Sequence, residues 1–118
     1  MYEELEDDGY EGFQKELYDY LTAFKSHLAK TYTKATVTKY AYVISDVIDY
    51  LYMYCGLENC KDIKASHIKK SYYNFVKETG EVMTMRSVIN MLKKYFIFIQ
   101  ENYGMRIDFI EEMNDMKV

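Results

Sequence analysis

The chain has 118 residues, of which 49% are hydrophobic and 29% are charged, with no proline and 14 tyrosines. This composition fits one globular domain and excludes a disordered chain, a collagen-like repeat and a coiled-coil rod; a domain of this size buries roughly 65% of its unfolded surface. The formal net charge of −4, taken over the whole chain, argues against a polyanionic partner such as nucleic acid.

Residues 1–11, at the N-terminus, contain six acidic side chains and no basic one. Such a run is typical of a solvated tail. An acidic start is also unlike a signal peptide, and no stretch approaches the run of about 20 apolar residues that a membrane span needs. We therefore expect a cytoplasmic protein without membrane contact, with Cys55 and Cys60 as reduced thiols.

The next two segments carry apolar residues at the helical spacing of three and four. In the first segment they are Phe13, Leu17, Leu21, Phe24 and Leu28. In the second they are Val37, Tyr40, Ile44, Val47, Ile48 and Leu51. Two amphipathic helices are predicted, the second with Thr33 as its N-cap, and Gly56 follows that helix as a C-terminal signal.

Two further helices are predicted by the same spacing. The third carries Ile68, Tyr72, Phe75 and Val76, and it has no recognisable N-cap. The fourth carries Met85, Ile89, Leu92, Phe96, Ile99 and Tyr103, between an N-cap at Thr84 and a stop at Gly104. The run from Tyr95 to Ile99 is aromatic and β-branched, so it also fits a strand if its helical flanks are ignored.

A helical domain over residues 12–104 is thus predicted, between the acidic N-terminal tail and an acidic C-terminal segment at residues 105–118. Within that segment, Ile107, Ile110 and Met113 fit a short fifth helix. The charge is unevenly divided along the chain. Residues 21–106 contain 13 basic and 7 acidic side chains, so this part of the chain is positively charged. A basic body between two acidic ends no longer excludes nucleic acid, and we expect the tail to compete with it for the basic face.

Chemistry-bearing motifs are scarce. Cys55, Cys60 and His67, with His27 as a fourth ligand, do not have the spacing of a common zinc module. No glycine-rich phosphate loop, serine elbow or HExxH motif occurs. We therefore predict a protein that is not an enzyme and that uses no cofactor, no metal and no small-molecule substrate.

Several tyrosines lie off the apolar stripes and are expected to be exposed: Tyr42, Tyr52, Tyr54 and Tyr73. Exposed rings suit partner interfaces or base stacking, although singly scattered apolar surface is also normal for a globular protein.

Three segments together follow one family pattern. The second helix has Thr33, Thr36, Val37 and Tyr40, the approach to the third has Asp62 and Ile63, and the fourth ends in an aromatic run. This order resembles the N-terminal core-binding domain of tyrosine recombinases (phage integrases), over roughly residues 13–104. The resemblance implies a four-helix SAM-like bundle that forms half of a clamp around duplex DNA without doing chemistry.

The resemblance places the DNA contacts on the second and fourth helices. It implies as DNA-facing residues Lys34, Thr36, Lys39, Arg86, Asn90, Lys93 and Lys94. The catalytic half of a recombinase needs an arginine pair, a His-x-x-Arg motif and a tyrosine nucleophile, whereas this chain has Arg86 and Arg106 as its arginines. Cleavage of DNA by that mechanism is therefore not expected.

The chain also departs from the family at outward positions where members often carry arginine. Tyr42, Val88 and Ile97 stand there instead, and apolar residues at such positions favour burial against a protein. The alternative hypothesis is a small regulatory adaptor that uses these three residues to bind a protein partner or a second copy of itself.

Overall fold

Four α-helices account for most of the chain that the structure, a computed structural model, describes, namely residues 12–80 and 83–105. The helices are α1 (Gly12–Leu28), α2 (Lys34–Met53), α3 (Ala65–Thr79) and α4 (Met85–Tyr103). A single 3₁₀ turn at Cys60–Asp62 precedes α3. The described residues contain no strand, so the predicted all-α four-helix bundle is confirmed and the ambiguous run in α4 is helical.

Three of the sequence predictions fall outside the described residues. They are the acidic tail at residues 1–11, the acidic C-terminal segment beyond Met105 and the short fifth helix around Ile107. Within the described ranges, no helix combines the length and the apolar character that a membrane crossing requires.

The core is built from the apolar stripes, and α2 packs against all three other helices. Tyr95 of α4 is fully buried, and its hydroxyl donates a hydrogen bond of 2.5 Å to the carbonyl of Leu17 in α1. A buried hydroxyl needs such a partner, because an unpaired one loses its hydration without compensation. This bond therefore fixes α4 against α1 at the centre of the bundle.

The ends of α2 and α4 follow the predicted chemistry. The Thr33 hydroxyl accepts a hydrogen bond from the Thr36 amide at 3.2 Å, and the Thr84 hydroxyl accepts one from the Ser87 amide at 3.1 Å. Both N-caps are therefore confirmed. Gly104 adopts a φ of 68° after α4, a left-handed conformation that side chains with a Cβ rarely adopt.

A histidine, rather than a hydroxyl, caps α3. The Lys64 amide donates to Nδ1 of His67 at 3.0 Å, and the His67 amide donates to the Lys64 carbonyl at 3.0 Å. The side chain at the third helical position thus reaches back to the residue that precedes the helix, as Glu or Gln does in a capping box. Because Nδ1 accepts this bond, the proton of the neutral ring lies on Nε2.

Candidate nucleic-acid interface

The two longest stretches of the chain without aspartate or glutamate are residues 20–45, which include the first half of α2, and residues 83–100, which include most of α4. The bases in these stretches are Lys25, Lys30, Lys34, Lys39, Arg86, Lys93 and Lys94. Positive charge that no nearby carboxylate in the same stretch opposes is the electrostatic requirement for binding a polyanion.

Lys94 joins these two stretches. Its Nζ donates to the hydroxyl of Tyr32 at 3.2 Å and to the hydroxyl of Tyr40 at 3.3 Å. It also lies 5.5 Å and 5.9 Å from the centroids of the same two rings, which stack on each other with centroids 6.0 Å apart. The loop before α2, the first half of α2 and the middle of α4 therefore meet at one ammonium group, which we name the Lys94 clamp.

The clamp keeps Lys94 charged. Hydrogen bonds from the ammonium to Tyr32 and Tyr40 raise the pKa of Lys94 above its usual range, and this effect exceeds the opposing effect of partial burial. Lys94 therefore adds a fixed, permanent positive charge between α2 and α4.

The N-termini of α2 and α4 share the same local arrangement. The Thr33 hydroxyl donates to the Thr36 hydroxyl at 3.1 Å, and the Thr84 hydroxyl donates to the Ser87 hydroxyl at 3.1 Å. An exposed basic side chain lies beside each pair, Lys34 in α2 and Arg86 in α4. Hydroxyls, basic groups and free helix amides together suit phosphate oxygens.

The residues predicted to face DNA are accessible to different degrees. Exposed are Lys34, Lys39, Arg86, Asn90 and Lys94, while Thr36 and Lys93 are half-buried. In α4, Arg86, Asn90 and Lys93 are separated by four and three residues, which places them on one side of the helix. Lys94 is exposed but bonded to two tyrosines, so it is a positioned charge rather than a freely moving one.

The residues predicted for a partner interface do not come together. Tyr42 is 47% exposed and its ring lies edge-on to Phe75 of α3, 5.7 Å away. Ile97 is half-buried in a groove of about 310 Å³ between α1 and α4, with Phe24 in its floor. Val88 is 1% exposed, so its assignment to the outer surface is wrong.

The reason for the error at Val88 is the wide buried side of α4. This helix packs against α1, α2 and α3, so its buried surface is wider than the single apolar stripe that the spacing predicts. Met85 and Leu92 are buried beside Val88, three residues before it and four after it. Val88 consequently belongs to the core rather than to a docking surface.

The two cysteines are free thiols in different surroundings. Cys60 is buried, and this burial, with a smaller contribution from Glu16, raises the pKa of its thiol to about 12. Cys55 is half-buried, and burial raises its pKa also. Both groups are thus protonated at neutral pH. Among residues 12–80 and 83–105, no three His, Cys, Asp or Glu side chains are grouped so as to hold a metal ion.

A further basic surface was not among the predicted contacts. On α3, Lys69, Lys70, Tyr73 and Lys77 are exposed, while Ile68, Ser71 and Phe75 of the same helix are buried. Their spacing is readable from the sequence, because Tyr73 lies three residues after Lys70 and four before Lys77, and residues at these intervals share one helical face. The resemblance implies DNA contacts on α2 and α4, and none on this face of α3.

No family model, no curated protein and no solved structure matches the chain. The resemblance to recombinase core-binding domains therefore rests on the residue pattern alone.

Proposed function

We propose that the chain is a non-catalytic module that binds duplex DNA through the exposed surface of α2 and α4. The observation that carries the proposal is the Lys94 clamp, which brings the two acid-free stretches of the chain together. Most of the affinity of such a surface comes from neutralising phosphates and is independent of sequence.

The roles of the individual residues follow from their chemistry. Lys34, Lys39 and Lys93 neutralise phosphates, and the Thr36 hydroxyl donates to a phosphate oxygen. Arg86 and Asn90 lie one turn apart in α4 and are the two side chains suited to base edges in the major groove, where arginine reads guanine and asparagine reads adenine.

Four acidic residues of the described part of the chain lie away from the proposed DNA surface. Glu16 and Asp19 lie in the first half of α1, and Asp46 and Asp49 lie in the second half of α2, outside the acid-free stretches. Burial raises the pKa of Asp46, and the neighbouring charges of Asp49 and Glu78 raise it further. These four carboxylates therefore lie outside the proposed surface and do not oppose its basic residues within the same stretch.

Fluorescence anisotropy with a labelled duplex tests this function. Lys39→Glu and Arg86→Glu are expected to weaken binding at low salt, while the matched control Lys15→Glu makes the same charge change outside the surface. Lys15 is exposed and pairs with Asp19 at 3.2 Å in α1. Equal weakening by all three variants, or no binding by the unmodified chain, contradicts the proposal.

The alternative of a protein-binding adaptor has one supporting observation. Tyr52, Met53 and Tyr54 at the end of α2 are 46%, 66% and 71% exposed, which is a run of apolar surface outside the acid-free stretches. Light scattering tests self-association through this run, because Met53→Glu should abolish any dimer. If the unmodified chain and the variant are both monomeric at every concentration, self-association through this run is excluded.

A further inference from the structure

The outer side of α3 presents a stripe of three lysines and one tyrosine, here named the α3 basic face: Lys69, Lys70, Tyr73 and Lys77. Tyr73 is 57% exposed. Ile68 and Phe75 on the opposite side of α3 are each 1% exposed, so that side of the helix packs against the core. The stripe therefore faces away from the bundle.

The ring of Tyr73 is supported from one side. Tyr72 lies against it in an edge-on arrangement, with ring centroids 5.4 Å apart and an interplanar angle of 63°. The Tyr72 hydroxyl donates a hydrogen bond of 2.6 Å to the carbonyl of Met83, which holds the supporting ring in place. An aromatic ring that is held at one edge and exposed elsewhere is a stacking platform for a planar ligand.

The charge around this ring is not neutralised within the bundle. Within residues 12–80 and 83–105, the one ion pair joins Lys15 and Asp19, so the lysines of α3 have no carboxylate partner there. Glu78 is the acid of α3, and its charge acts on Asp46 of α2. Glu78 follows Lys77 directly, and consecutive helical residues point about 100° apart, so the carboxylate is turned away from the stripe.

The positive charge near the α3 basic face also acts on the neighbouring His67. Burial lowers the pKa of His67, and the charges of Lys70 and Lys64 lower it further. Two lysines thus act together on one side chain at the start of α3. A positive surface with an exposed aromatic ring inside it combines the two features that non-specific binding of a single strand requires.

We propose that the α3 basic face binds single-stranded nucleic acid, with one base stacked on Tyr73 and the flanking phosphates held by Lys70 and Lys77. These lysines precede and follow Tyr73 by three and four residues, and they are separated by about 10 Å along the helix axis. In a duplex both faces of each base are covered by its neighbours in the stack, so a single aromatic ring of this kind selects unpaired bases.

This surface is separate from the proposed duplex surface, and neither requires the other. The test is fluorescence anisotropy with a labelled oligothymidylate of about 16 nucleotides, the upper end of common site sizes. Tyr73→Ala should weaken binding about tenfold, whereas Tyr73→Phe should retain it, because phenylalanine keeps the ring. For the two phosphate contacts made by Lys70 and Lys77, the affinity should fall with salt with a logarithmic slope of about −1.4.

The controls separate this surface from its alternatives. Tyr52→Ala removes a ring of similar exposure from another helix and should leave binding unchanged. The double variant Lys70→Glu with Lys77→Glu should abolish binding at moderate salt, and circular dichroism should show an unchanged helical content for every variant. Lys39→Glu with Arg86→Glu should weaken duplex binding and leave oligothymidylate binding unchanged.

Four results overturn the proposal. They are the absence of oligothymidylate binding by the unmodified chain at low salt, equal affinities of Tyr73→Ala and Tyr73→Phe, binding that survives the double lysine reversal, and loss of single-strand binding on mutation of Lys39 and Arg86. The last result would show that the single-stranded nucleic acid binds to α2 and α4 instead of α3. Failure of duplex binding alone would contradict the proposed function and leave the α3 basic face in place.

Discussion

Lys94 of α4 and Tyr40 of α2 are joined by a hydrogen bond of 3.3 Å from ammonium to hydroxyl, although 54 residues separate them in the chain. The same ammonium reaches Tyr32, in the loop before α2, at 3.2 Å. Lys94 is thus both a structural contact and part of a candidate DNA surface. Its two roles can be separated by measurement.

The structural role predicts a modest loss of stability in Lys94→Met, which keeps most of the side-chain length but removes the charge. Two hydrogen bonds and two cation–π contacts at an exposed site are lost, so the free energy of unfolding should fall by about 1 kcal/mol. Urea denaturation measures this change. Lys39→Met, at an exposed position of α2, is the control and should alter stability by less than about 0.5 kcal/mol; equal effects would show that the clamp contributes nothing.

The hydroxyl of Tyr95 makes a second testable contact. Tyr95→Phe removes the hydrogen bond to the Leu17 carbonyl and should cost about 1 kcal/mol, whereas Tyr95→Ala also opens a cavity and should cost about 3–5 kcal/mol. Chemical denaturation followed by circular dichroism gives both values. The comparison is Tyr103→Ala, because Tyr103 belongs to the same predicted stripe but is 49% exposed; a cost as large as that of Tyr95→Ala would contradict the assigned core.

The helices and their caps were predictable because they depend on local chemistry. Periodic apolar residues and the hydroxyls of Thr33 and Thr84 define where α2 and α4 begin, and the structure agrees. His67 was missed as a cap, since histidine is an uncommon residue at that position. Val88 was misplaced because the buried width of α4 depends on how many helices pack against it, which periodicity does not reveal.

The candidate site was predictable only in part. The types and helices of the basic residues are visible in the sequence, and most of them are exposed as expected. The Lys94 clamp was not predictable, because it joins residues 54 and 62 positions apart and exists only after the helices pack. The α3 basic face was readable from spacing, yet its exposure depends on which side of α3 packs on α2.

The cap at His67 predicts a pH dependence of stability. Burial and the charges of Lys70 and Lys64 hold the folded-state pKa of His67 below its ordinary value of about 6.5, so the unfolded chain takes up a proton first as the pH falls. This histidine should therefore contribute full stability above about pH 6.5, and its contribution should decline as the pH falls from there towards the folded-state pKa. Urea denaturation at pH 7.5 and at successively lower pH values measures the decline.

His67→Gln is the matched control for that experiment. Glutamine accepts the same bond at this helix position and does not titrate, so its stability should be comparable at neutral pH and less dependent on pH. The difference between the two proteins isolates His67 from other titrating groups, including Asp46. A difference that is constant from pH 7.5 to pH 5 would contradict the assigned cap.

The acidic N-terminal tail predicts a change in affinity. Residues 1–11 carry six carboxylates, and removing them should strengthen duplex binding at low salt, because a competing polyanion in the same chain is lost. Anisotropy at low and moderate salt measures the effect, which should shrink as salt screens the tail. Replacement of the six acids by their amides keeps the length and should act as the deletion does; an unchanged affinity in both variants would exclude competition by the tail.

The most direct test of the duplex-binding surface is the salt dependence of affinity for a labelled duplex. Phosphate contacts by Lys34, Lys39 and Lys93 predict a slope of log affinity against log salt of about −3, since each contact contributes about −0.9. Lys39→Glu with Arg86→Glu should reduce the steepness by about 1, through the lost contact of Lys39, and weaken binding at low salt, while Lys15→Glu should leave both unchanged. No binding at micromolar protein in low salt, or a slope that the double variant does not alter, would contradict the account.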